Sequence, residues 1–106
     1  MLHIDKKNFK AEIMERKEPV ILDCWAAWCG PCRMAAPIFE KLEGEYKGKL
    51  KFSKMDVDAN TDLAAMLNVM SIPTFIIFNK GEEVDRFMGF GGEADMKHKI
   101  DKVLKL

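Results

Sequence analysis

The chain has 106 residues, 48% hydrophobic and 32% charged, a balance that excludes disordered and fibrous classes. That length makes residues 1–106 one domain, with a core that needs no disulfide staples. Seventeen basic and seventeen acidic side chains cancel and are interspersed, so neither nucleic acid nor a membrane surface is the expected partner, since both require a basic face.

Met1-Leu2-His3-Ile4-Asp5-Lys6-Lys7 turns polar at once, without the apolar stretch of a signal peptide. No apolar run approaches a membrane span, and the chain is read as cytoplasmic. A first helix is predicted from about Asn8, as its N-cap, with Phe9, Ile13 and Met14 on the buried side. It stops before Pro19. Pro19 to Trp25 is apolar on both parities apart from Asp23, the pattern of a central strand covered on both faces.

From Pro31 to Tyr46 the spacing is helical, with Met34, Ile38, Leu42 and Tyr46 as the stripe and Ala35 and Phe39 alongside. Pro37 lies inside and predicts a kink. Leu50 to Val57 is a second strand, and Asn60-Thr61-Asp62 caps a short helix carrying Leu63, Met66 and Leu67. Thr74 to Phe78, a turn at Asn79-Lys80-Gly81-Glu82, and Glu83 to Met88 form a β-hairpin. A last helix follows Gly92, with Glu93 and Asp95 in its first turn and Met96, Ile100, Val103 and Leu104 as its stripe. The order βαβ, helix, ββα describes an α/β sandwich with a mixed sheet, parallel in its first half and antiparallel in its second.

Three cysteines is an odd number, which points away from a secreted disulfide scaffold. Cys29-Gly30-Pro31-Cys32 falls where a buried strand ends and a helix begins. Unpaired N–H groups and the helix dipole stabilise a thiolate there. Cys29, at the expected exposed tip, is the attacking sulfur; Cys32, one helical turn on, resolves the mixed disulfide from within the molecule. Pro31 suits a first helical turn, and Gly30 leaves room for a partner's backbone. A zinc site needs about four ligands, and no second cysteine pair accompanies this one, so no metal site is expected.

Asp23 is costly to bury, and burial would raise its pKa. Six residues before Cys29, it either exchanges the proton of Cys32 or caps the strand end and reaches water. Cys24, of opposite parity, is a core side chain. Trp28 is either a core-edge aromatic or part of an apolar docking face. The eight methionines are read mostly as core filler, with Met34, Met70 and Met88 reaching a binding surface, and His3 and His98 as solvated.

The run from Trp25 to Met34, with Ala36-Pro37, resembles the thioredoxin family, and the resemblance extends from Asn8 to Leu104 through Asp23, Lys54, Asp56-Val57-Asp58, Ile72-Pro73-Thr74, Lys80-Gly81 and Gly89. It implies a three-layer α/β/α sandwich and a cis Pro73 packed against the disulfide. It also implies Asp23 as buried proton carrier with Lys54 as its charged neighbour, and a docking surface of Trp28, Gly30, Pro31, Ile72, Pro73 and Gly89. The implied activity is protein-disulfide reduction by a monomer. No cofactor is needed beyond the redox-active disulfide, and a thioredoxin reductase-like donor restores the dithiol. A non-catalytic assembly subunit using the same surface, or a thiol oxidase or isomerase of the same fold, is the alternative. Cys24, Met70, Met88 and Phe90 depart from the family pattern, bearing on partner choice rather than chemistry.

Overall fold

Apolar side chains on both parities make Val20–Trp25 a strand covered on both faces, and in a computed structural model describing residues 1–106 it lies mid-sheet. The elements in chain order are β1 (Leu2–His3), a π-helical turn (Lys10–Met14), β2 (Val20–Trp25), α1 (Gly30–Glu45), β3 (Lys51–Asp56), α2 (Thr61–Met66), β4 (Thr74–Asn79), β5 (Glu82–Met88) and α3 (Glu93–Leu104). The sheet order is β1-β3-β2-β4-β5. β1, β3 and β2 pair in parallel, while β4 is antiparallel to both β2 and β5.

Alternation along β2 divides the core. Val20, Leu22 and Cys24 pack with Phe9 and Ile13 of the first segment and with Leu63 and Ala64 of α2. Ile21 points the other way, into a cluster with Ala35, Phe39 and Leu42 of α1 and Met96 and Ile100 of α3. Helices on both faces of a mixed sheet give the expected three layers.

The first segment departs from expectation. The first helix is a wider turn, closed by Glu15 N–H donating to the Lys10 carbonyl at 2.8 Å. Asn8 does not cap it. Its Nδ2 donates to the His3 carbonyl, and Asp5 takes the capping part by accepting from the amides of Lys7 and Asn8. Met14 is exposed rather than packed.

The buried stripe of α1 is Cys32, Ala35, Phe39 and Leu42, continued by Tyr46, whereas Met34 is 67% exposed. A strict four-residue repeat drifts round a helix, turning Met34 about 120° from Tyr46, and alternating threes and fours do not. The helix runs unbroken across exposed Pro37.

The methionines are mostly not core: Met14, Met34, Met66, Met70 and Met88 are exposed, and Met55 and Met96 are fully buried. The short edge strand β1 carries no sequence signal of its own and forms only because Leu2 and His3 align beside Ser53 and Lys54. His3 and His98 are exposed.

Candidate functional site

The end of β2 and the start of α1 build the centre of the site. Ala26 is buried, Trp28 stands 67% exposed, and Cys29, in extended conformation, is the N-cap of α1. Its Sγ accepts from the amide of Cys32 at 3.2 Å, satisfying one of the helix's free N–H groups as a capping oxygen would. Pro31 occupies the first turn, where its missing N–H costs nothing. Cys29 and Cys32 are joined as a disulfide with their Cα atoms 5.2 Å apart.

Cys29 is not an exposed tip. Both cysteines are 4% exposed, packed with Ala26 and flanked by Trp25, Val57 and Ile72. What distinguishes Cys29 is its place as the N-cap of α1, with the Cys32 amide donating to its Sγ.

Asp23 shares the parity of Ile21 and so faces the α1 layer; it is 1% exposed. At that burial the carboxyl does not reach bulk water. Burial pushes its pKa from 3.8 up to about 7, with Lys54 pulling the other way. Its Oδ1 has no hydrogen-bond partner. Lys54 lies opposite Asp23 on β3, and its ammonium sits 4.9 Å from the centre of the Trp25 ring. Cys24 is fully buried on the opposite face, where burial and the Asp23 charge push its thiol up to about 12.

A second segment meets the first. Ile72–Pro73 is a cis peptide bond, as expected. Pro73 is buried, and Ile72 packs on the Cys29–Cys32 cluster. The Gly89 amide donates to the Pro73 carbonyl at 2.8 Å, which brings Gly89 beside the same loop. Trp28, Pro31 and Gly89 are exposed and Gly30 half-buried.

Around them stand the exposed methionines Met34, Met70 and Met88. Met34 is two residues beyond Cys32, Met70 two before Ile72, and Met88 opposite Thr74. Two contacts escaped the sequence reading. The Trp28 indole donates to Asp58 at 2.9 Å, and Arg86 reaches the end of α2. Asp58 stood within a noted segment, but nothing local linked it to Trp28, 30 residues away. No three His, Cys, Asp or Glu side chains converge as metal ligands would, and no helix is long and apolar enough to cross a membrane.

The sequence profile described as Thioredoxin matches residues 1–102. A thioredoxin of Staphylococcus haemolyticus is 49% identical over 104 residues, covering 98% of each chain. The chain belongs to the thioredoxin family. Similar at 37% identity are thioredoxin 1 of a Nostoc species, over 95% of this chain and 94% of that one, and a bifunctional thioredoxin reductase/thioredoxin of Mycobacterium leprae. The latter match spans 97% of this chain and 22% of the longer protein. The family's fold is the one described above, and its activity, dithiol–disulfide exchange of the protein-disulfide-reductase kind, is the chemistry for which Cys29 and Cys32 are bonded partners.

Proposed function

We propose that the whole chain acts as one domain, a cytoplasmic, monomeric reductase of protein disulfides whose roles fall on named residues as follows. The Cys29 thiolate attacks one sulfur of the target disulfide, forming a mixed disulfide and expelling the other target sulfur as thiolate. Cys32, giving up its proton, attacks Sγ of Cys29; the Cys29–Cys32 bond forms and the mixed disulfide breaks. Two electrons pass to the target; its two thiolates take the Cys32 proton, relayed through Asp23, and a second proton from water, and it leaves as a dithiol. Asp23, buried and with a free Oδ1, takes the proton of Cys32, and Lys54 tunes that carboxyl.

The observation that carries this reading is the Cys29–Cys32 pair at the N-terminus of α1, with the Cys32 amide on Cys29 Sγ. The target lies across Trp28, Gly30, Pro31, Ile72, Pro73 and Gly89, with Met34, Met70 and Met88 as a deformable apolar rim. A separate thioredoxin reductase-like protein returns the electrons, a reading supported by the relative that names both activities in one chain.

Cys29→Ser should abolish turnover of a protein disulfide, whereas Cys32→Ser should accumulate a covalent adduct visible by mass spectrometry. Turnover retained by Cys29→Ser would overturn the assignment, and an adduct on Cys32 in the reverse variant alone would invert the order of attack. The reduction potential of the pair, measured against a thiol–disulfide buffer, should lie at the reducing end, which thioredoxins themselves define. A strongly oxidising value would assign disulfide formation instead.

A further inference from the structure

Arg86 stands on β5, opposite Ile76, and its guanidinium uses both edges. One edge forks onto Glu83, Nε to Oε2 and Nη2 to Oε1, each at 2.6 Å. The other donates to the carbonyls of Leu67, from Nη2 at 2.8 Å, and Asn68, from Nη1 at 3.2 Å. Those carbonyls end α2, a helix of only six residues, and Asn68 turns the chain through φ +57°. Carbonyls at a helix C-terminus lack partners within the helix and attract a cation.

The segment that follows, Met70 to Ile72, packs through Ile72 on the Cys29–Cys32 cluster, but its backbone has few partners. None of its amides donates a backbone hydrogen bond; only the Ser71 carbonyl is used, accepting from the Thr74 hydroxyl. From Pro73 onward the chain is fixed by β4 and by the Gly89 amide. The loop is therefore anchored at its far end by the sheet and at its near end by Arg86.

We propose that Arg86 is a positioning residue for substrate docking: by tying the end of α2 to β5, with Glu83 orienting the guanidinium, it holds the Asn68–Ile72 backbone in place for the target chain. This rests on the docking role proposed for Ile72 and Pro73. Lysine cannot substitute, because a single ammonium does not span a carboxylate and two carbonyls in one plane.

The test compares Arg86→Ala, Arg86→Lys and Ile72→Gly with the unaltered protein, using a protein disulfide (insulin) and a small one, 5,5′-dithiobis(2-nitrobenzoate). In Arg86→Ala, KM for insulin should rise about fivefold to tenfold, as losing one strong hydrogen bond would do, with kcat and the small-disulfide rate within about twofold. Arg86→Lys should recover only part of that loss. Exchange of the Asn68 and Val69 amides, bonded to Ala65 and Ala64, should quicken while β2 amides do not change. Unchanged KM in Arg86→Ala beside a raised KM in Ile72→Gly overturns the positioning role alone. Unchanged KM in both overturns the docking reading as well. Parallel loss of insulin and small-disulfide rates, with exchange faster throughout the sheet, reduces Arg86 to a stabilising residue and also overturns the proposal.

Discussion

Burial holds the Asp23 carboxyl at a pKa of about 7 against an ordinary 3.8, with Lys54 opposing the shift. Between about pH 4 and 7 the folded chain keeps a proton that the unfolded chain releases. Stability from this group is therefore greatest at low pH, falls as pH rises through that window, and stays low above it. Asp23→Asn removes the charge at nearly constant shape. It should stabilise the protein by about 2–4 kcal/mol at pH 8 and by little near pH 4, in urea unfolding at both pH values. Equal effects at the two pH values would show that the ionised carboxylate carries no such cost. Cys24 is the opposite kind of residue: its thiol, pushed up to about 12, is mostly protonated at pH 8. Iodoacetamide should label Cys29 in the reduced native protein and reach Cys24 only after unfolding, as peptide mass mapping would reveal.

Gly30 and Gly81 serve their elements for different reasons. A Cβ at Gly30 would meet nothing within 4 Å, so the chain's own packing does not demand glycine there. Gly30→Ala should leave the melting temperature within about 2 °C while raising KM for a protein disulfide, if a target backbone approaches that point. Gly81, paired with Lys80 in the β4–β5 turn, has φ +82°, and a Cβ there would collide with the Met14 carbonyl. Gly81→Ala should cost about 2–3 kcal/mol in urea unfolding without altering the chemistry of the cysteines. Elements with strong local patterns were legible: β2 by its double-sided apolar run, the hairpin by its turn residues, α3 by its acidic start and apolar stripe. The π-helical turn and β1 were not. The first differs from an α-helix by one residue in each hydrogen-bonded ring, and the second is two residues that exist only beside β3. Methionine misled in the same way, since its apolar character is equally compatible with the core and with an exposed rim.

At the scale of the molecule, two cores lie on either face of the sheet, and the proposed docking surface belongs to a chain of zero net charge. Long-range steering is then weak, and kcat/KM for a neutral protein disulfide should change by less than about threefold between 50 and 500 mM salt. A tenfold fall would reveal a charged docking contact.

The Cys29–Cys32 pair, the strand before it and the helix after it are contiguous, so their chemistry could be read from neighbours alone: a thiol at a helix N-terminus is activated wherever that helix ends up. The residues proposed to complete the site are distant in the chain. Lys54 lies beside Asp23 because β3 pairs with β2 in parallel, and Ile72 meets the disulfide because β4 returns antiparallel on the other edge. Asp58 under Trp28, and Arg86 on the end of α2, follow from the same strand order. Side-chain type and local period determine a helix or a strand. Which strands become neighbours depends on burying both sheet faces at once, and only the folded chain decides that.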